Sequence, residues 1–462
     1  MLLRALASFA AALLLAQAPE VASPWFSKVF PPDEYRARRA RVYAEIGEGV
    51  AILQGAAERP SESPFRQNSQ FIYLTGIEVP RAIAVLDGRT KTTTVYLPDN
   101  SRRSRQYGPL LEAGDKTVTI TGVDAALPRE QFDGFVSALA GSTRPVFTPY
   151  RAEVLGSGSA GDAAGFVRAT AQDPWDGRIS REQAFIEKLK QKAHDIDVRD
   201  LDPILDQLRF IKSAREIAVV REATRITGLG IMQAMREAKP GLFEYELFAA
   251  AEYIFRKNGA QGAAYFPLSA TGRNTIYSHY HRGAAKLADG DLVQFDYAPD
   301  WNYYVSDVTR VFPANGRFTA WQREWYTIYL RLYQSLMTSI RPGVPVSAII
   351  ADAVKKMDVV LAGFHFTDPG VEAAAKQFVG RYRESKARSL GHAIGIEVHD
   401  VGRGGEALAV GQIFTIEPAM QIPERSLGIR LEDAILITSS GYENLSAFVP
   451  VEIADIERLM RR

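Results

Sequence analysis

The chain contains no cysteine. That absence excludes disulfides, thiolate metal sites and a cysteine nucleophile, and it removes the residue that a bacterial lipoprotein anchor needs. Histidine is scarce: the six are His194, His279, His281, His365, His392 and His399, so any histidine argument has few alternatives. Neither sign of charge is in excess. The 55 Lys and Arg against 54 Asp and Glu leave a net charge of +1, and no basic surplus points to nucleic acid. Apolar runs of membrane-spanning length are also missing. The N-terminal stretch MLLRALASFAAALLLAQAPEVASPW has one early arginine, then an apolar run, then Ala16-Gln17-Ala18. The run is about a dozen residues, the layout of a secretory signal peptide, whereas a span needs roughly 20. The expectation is a leader over 1–22 and an exported protein, periplasmic or secreted.

What is present is a globular composition, 46% hydrophobic and 24% charged, in a chain too long for one ordinary core. After the leader, 32–47 predicts a helix. GVAILQGA, FIYLTGI, RAIAVLD and TTTVYLP predict short strands between Gly, Pro and Asp turns. A helical pattern near 129–140 and a strand near 144–148 complete a mixed α/β domain, 25–178. It is closed by a Gly-, Ser- and Ala-rich stretch, 155–178, that reads as an exposed loop. From 179 the pattern changes. Helices are predicted over 180–197, 213–237, 243–258, 319–340 and 346–362, and strands over 292–297, 303–312, 412–418 and 428–438. The second domain, 179–462, therefore reads as α+β.

Acidic residues stand in these apolar strands. In LVQFDYAPDWNYYVSDVTRVF, Asp296 and Asp307 flank a Pro-Asp-Trp-Asn turn. If the loop closes on Trp301 and Asn302, the two acids face each other directly, and buried carboxylates at that spacing need a cation or a shared proton. IFTIEPAM ends on Glu417 and GIRLEDAILIT encloses Glu432. Any one of these acids has a simpler reading on a solvent face, but four in apolar strands each need compensation. SLGHAIGIEVHD adds His392 and His399, with Gly391 and Gly395 around the first allowing close approach. One of these histidines completes an oxygen-rich set suited to Mn, Fe, Co or Zn. Four carboxylates balance two divalent ions, the arrangement that activates water for hydrolysis.

On these residues the sequence resembles the pita-bread metallopeptidases, which include methionine aminopeptidase, aminopeptidase P and prolidase. DGDLVQFDYAPDWNYYVSDVTRVFPANGRF resembles the first two metal strands of aminopeptidase P, and LRFIKSAREIAVVREATRIT its catalytic entry helix. FRQNSQFIYLTGIEVPRAIAVL is similar to its N-terminal domain, which methionine aminopeptidase lacks. The resemblance covers roughly 29–460. It implies an α+β architecture, an N-terminal aminopeptidase P-like domain before a C-terminal pita-bread domain. It also implies two divalent ions per chain (Mn first, Co or Zn next) and proline-containing peptides as substrates. Asp296 matches the terminal chelating aspartate, Asp307 and Glu432 the bridging carboxylates, and His392 and Glu417 the ligands of the other metal. Glu417 also matches the residue that exchanges a proton with the bridging water. His399 and His279 match substrate-side histidines, with His281 the lesser alternative to His279. Arg430 matches an arginine that supports the metal site. Family members commonly form dimers or tetramers, so a homo-oligomer is expected.

Relatives usually carry a histidine four residues before the metal histidine, where this chain has Arg388. The loop after His399 is short and holds Arg403. Either arginine suits a substrate carboxylate, by a bidentate contact. The leading expectation is an aminopeptidase releasing the first residue from peptides with proline second. The rivals are a prolidase limited to Xaa-Pro dipeptides and a metal-free binding protein on the same fold.

Overall fold

The computed structural model describes residues 25–58, 64–154, 158–402 and 407–461. The expected leader and Arg403 lie outside the described residues. Among those described, no helix is long and apolar enough to cross a membrane.

The first domain is built on a six-stranded sheet. Its order is Ala125–Pro128, Thr92–Leu97, Ile83–Asp87, Val50–Gln54, Val146–Thr148, Val198–Asp200. The central three strands run antiparallel and the outer ones join them in parallel. VAILQ and IAVLD are apolar almost throughout because helices cover both faces of the sheet. Val50, Ile52, Ile83 and Val85 pack with Phe132, Phe185 and Leu189. Ala51, Leu53, Ala84 and Leu86 face Tyr35 and Val42 of helix Pro32–Ile46. The last strand lies beyond the boundary expected at 178, and helix Arg181–Lys192 packs on this sheet as well.

Two segments of this domain differ from expectation. FIYLTGI is not a strand: Ser69–Thr75 is a helix. Asn68 caps it through Phe71 N at 2.8 Å, and Gly76 closes it in the left-handed region, so cap and stop signals override β propensity. The segment 155–178 is not simply a loop. It contains helix Ala160–Gln172, started by Ser159 and carried by alanines.

In the second domain, helices Ala214–Glu237, Glu244–Lys257, Ala320–Met337, Val346–Ala362 and Pro369–Arg383 surround small antiparallel sheets. Ser213 and Glu216 form a capping box at the start of the first. Strand Leu292–Asp296 runs between Leu268–Thr271 and Thr309–Pro313. Ile413–Ile416 pairs with Asp433–Thr438, and Ala419–Ile422 with Leu427–Arg430.

The expected register of the Asp296–Asp307 hairpin is corrected. The turn closes one residue later, on Asn302 and Tyr303, which both have positive φ (53° and 70°), and Trp301 pairs with Tyr304. Such a turn matches strand twist. Tyr303 is held in it by burial and by its hydroxyl, 3.1 Å from Gln67 N in the first domain. Asp296 therefore stands across from Thr309, not Asp307. Asp307 lies two residues before Thr309, the diagonal position on the same face, still within reach.

Candidate metal centre

Five backbone segments deliver the four acids and one imidazole to a single space. Asp296 ends its strand, Glu417 directly follows Ile413–Ile416, and Asp307 precedes Thr309–Pro313. Glu432 sits between two strands, with its main chain paired to Thr309 in both directions, at 3.1 and 3.3 Å. His392 is fixed beside Thr415, whose N–H donates to the His392 carbonyl at 2.9 Å. Gly391 is required there: a side chain would run into the Thr415 carbonyl.

Donor atoms of Asp307, His392 and Glu432 lie within 4.8 Å of one another. His392 Nε2 is 3.2 Å from Glu417 Oε1, 3.6 Å from Asp307 Oδ2 and 3.8 Å from Glu432 Oε1. The guanidinium of Arg430 pairs with Asp296 and comes within 4.0 Å of Glu417 Oε2. Three side chains that the sequence reading missed complete the frame. The Tyr265 hydroxyl is 2.5 Å from Asp296 Oδ1 and 2.7 Å from Asp307 Oδ1. Thr309 Oγ1 donates to Glu432 Oε2 at 2.7 Å, and Thr415 Oγ1 to Glu417 Oε1 at 3.2 Å. Each threonine is two residues from an assigned acid, so strand periodicity was a usable signal. Tyr265 carries no such signal.

The electrostatics ask for a cation. Burial, and then the neighbouring carboxylates, push Asp307 and Glu432 well above the ordinary carboxylate range. Burial would raise Glu417 as well, but His392 and then Arg430 outweigh it and hold it down at about 2. His392 in turn is raised: desolvation is outweighed by Glu417 and Asp307. In this form the His392 ring and Arg430 are the local counter-charges to four carboxylates, and they do not suffice. Glu432 Oε1 is buried with no hydrogen-bond partner among the described residues, a costly condition that a bound cation relieves. The residues present fit a divalent metal.

His399 lies beside the cluster, its ring centroid 4.0 Å from that of His392. Desolvation and then His392 push it down to about 4, so it is neutral near neutrality. His279 is near enough to contribute to that shift. Both His279 and His281 are exposed, and the His281 ring packs at a tilt against Phe266, centroids 4.6 Å apart. Arg388 is exposed on the segment leading to His392.

Two protein-family models match the chain: Aminopeptidase P, N-terminal domain, over 35–147, and Metallopeptidase family M24, over 218–439. The Xaa-Pro aminopeptidase of Escherichia coli K12 is 32% identical over 448 residues, which span 92% of this chain and 97% of that one. The chain belongs to the Xaa-Pro aminopeptidase family. It is a metallo-aminopeptidase with the pita-bread fold of that family. Zinc-substituted E. coli aminopeptidase P in complex with product superposes with a TM-score of 0.75 at 27% identity, covering 93% of this chain and 98% of that one. The Xaa-Pro dipeptidase of Pyrococcus horikoshii is 31% identical, but over 57% of this chain and 70% of its own length.

Proposed function

We propose that the chain is a dinuclear metal-dependent enzyme releasing the first residue from peptides with proline in second position. The observation that carries this reading is the convergence of Asp296, Asp307, His392, Glu417 and Glu432 on one space in which Glu432 Oε1 has no hydrogen-bond partner among the described residues. Asp296 would help hold one ion, His392 and Glu417 the other, and Asp307 and Glu432 would serve both. The donor set suits Mn first, with Co or Zn as alternatives. When bound, the ions supply an activated water and polarise the scissile carbonyl.

The remaining work falls to side chains. Glu417 is 29% exposed, against 4% for Asp296, 8% for Asp307 and 1% for Glu432. It is the most exposed of the ligand acids and is ionised at rest, so it would take a proton from the attacking water and pass it to the departing proline nitrogen. Arg430 pairs with Asp296 and aligns it. His399, as a neutral imidazole, and His279 face the substrate carbonyl. Arg388, with Arg403 by sequence alone, takes a substrate carboxylate. The match to an aminopeptidase at 32% identity over 92% of the chain, against 26% for a dipeptidase matched over 89% of it, supports activity beyond dipeptides. A homo-oligomer is part of the same reading.

The test is a series of Xaa-Pro, Xaa-Pro-Yaa-Yaa and Xaa-Ala-Yaa-Yaa peptides, assayed with chelator and after adding back Mn, Co or Zn. Release of the first residue from the proline peptides, dependent on metal, is expected. Cleavage of Xaa-Pro alone would reassign the chain as a dipeptidase. No cleavage and no metal uptake would leave a binding protein.

A further inference from the structure

His392 and His399 bracket one short segment yet are held in place by different means. His392 rides on strand Ile413–Ile416. Its carbonyl accepts from Thr415 N, Ala393 bridges Phe414, and Ile394 N donates to Ile413 O at 3.3 Å. His399 is not on that strand. Its segment closes on itself through Asp400 N to Ala393 O at 2.7 Å, and Ser159 bridges it from the first domain.

What anchors the segment from beneath is a buried group of four charges. Glu397 and Asp400 have side chains 2% exposed, and those of Arg209 and Lys212 are 1% exposed. Arg209 Nη2 lies 3.0 Å from Glu397 Oε1 and also pairs with Asp400 Oδ1. Lys212 Nζ lies 3.0 Å from Asp400 Oδ2. Gly395 lets the chain wrap this pair, since a side chain there would meet Asp400 Oδ2 and the Lys212 stem. Residues 209–212 are themselves pinned: Lys212 N donates to Gly411 O at 3.0 Å and Ile211 bridges Gln412, next to the strand that leads to Glu417. A neutral buried cluster of this kind is no better for stability than apolar packing of the same volume. What it does supply is a fixed geometry for Asp400, the residue next to His399.

We propose that Arg209 and Lys212 are positioning residues for the reaction: through Glu397 and Asp400 they hold His399 against the substrate, while the strand holds His392 for the metal. The inference rests on the reading of His399 as a substrate-side group.

The test pairs Arg209→Met with Glu397→Gln, which removes one charge of each sign, and adds Arg209→Lys. Both proteins are checked for thermal unfolding, metal content, kcat and KM, in wild-type and His399→Ala backgrounds. An Å-scale misplacement costs up to about 100-fold. The expected result is a kcat loss of about 10- to 100-fold at unchanged metal content, partly restored in Arg209→Lys. In the His399→Ala background the same change should cost less than about 2-fold, since additivity fails for groups that act as a unit. Metal lost in step with activity, or full additivity with His399→Ala, overturns the proposal. If the wild type cleaves no proline peptide, the function reading fails separately. The inference is then read in the metal-free protein from histidine ring signals in ¹H–¹³C spectra, assigned with His399→Ala and His392→Ala. Movement of the His399 signal with the His392 signal unmoved upholds it; an unmoved His399 signal overturns it. If the double variant does not fold, the Arg209→Lys spectra and cycle decide on the same criteria.

Discussion

Glu432 and Asp307 are carboxylates whose surroundings favour the proton over the charge. An acid raised on folding binds more protons folded than unfolded, so it lowers stability as pH rises through that window. His392 is raised too, and its contribution has the same sign: present at low pH and lost as pH climbs through its folded value. His399, pushed down to about 4, works in the opposite sense over this window, but it stands alone against two raised carboxylates and a raised imidazole, so chelated protein should melt higher near pH 5.5 than near pH 7.5. Metal-loaded protein should not gain on acidification, because metal competes with the same protons. Calorimetry at the two pH values with and without chelator checks this, and a chelated protein that is less stable at pH 5.5 would contradict it. Tyr265 offers a second test at this scale. Its single proton lies between two ligand acids, and burial followed by Asp296 raises its pKa well above the ordinary phenol value. Loss of such an outer partner costs about 10- to 100-fold in metal affinity. Tyr265→Phe should show that loss by calorimetric titration with Mn while keeping the wild-type melting temperature in chelator.

At the scale of elements, the strand carrying Asp307 and the segment carrying Glu432 are joined from behind by Arg310. Its side chain is fully buried. It donates to the Glu432 carbonyl at 2.7 Å, to the Thr309 carbonyl at 3.0 Å and to Asp433 Oδ1 at 2.7 Å. Tyr333 and Ser446 also donate to Asp433, at 2.5 and 2.6 Å. Arg310→Met leaves a buried carboxylate without its charge partner and should cost about 3–5 kcal/mol, read from denaturant midpoints at constant slope. Burial alone would raise Asp433, but Arg310 and then Ser446 outweigh it and hold it below its ordinary value. Its contribution is thus present above about pH 4 and lost as pH falls further, so the variant and wild type should converge in acid. The acids of these strands were readable because a charge in an apolar run demands an explanation. The helix expected over 213–237 is Ala214–Glu237, because Ser213 and Glu216 announce its start. The hairpin register was not readable. It turns on Tyr303 accepting a left-handed backbone, and that depends on Gln67 and Glu78 from the first domain, more than 200 residues away in sequence. The helical state of FIYLTGI depended on two small caps set against strongly β-prone side chains. Tyr265 was invisible because its role exists only where two other strands meet.

At the scale of the whole molecule, the two domains are not independent beads. One apolar cluster includes Phe71 and Leu97 of the first domain with Tyr304, Ile396 and Ile413 of the second. Arg38, 5% exposed, reaches across this seam from helix Pro32–Ile46. It lies 3.3 Å from Glu34 and 3.7 Å from Glu216 in the first turn of Ala214–Glu237, and Tyr304 of the hairpin donates to the same Glu216 at 2.8 Å. Arg66 makes a comparable link: it is 2.5 Å from Asp300 and donates to the Ile396 carbonyl at 3.2 Å. It thus touches the turn of the metal hairpin and the segment between the two histidines together. Relative domain motion is the default for small polar seams, but this seam is apolar at its centre and carries buried charge, so the site and the first domain should unfold together. Calorimetry should give one transition with equal van't Hoff and calorimetric enthalpies. Arg38→Met strands Glu216 in a buried seam and should lower stability by about 3–5 kcal/mol. If the seam is what couples the domains, the same change should also split the transition or drop the van't Hoff enthalpy below the calorimetric one. Two separate transitions already present in the wild type would mean that the first domain does not hold the metal hairpin in place.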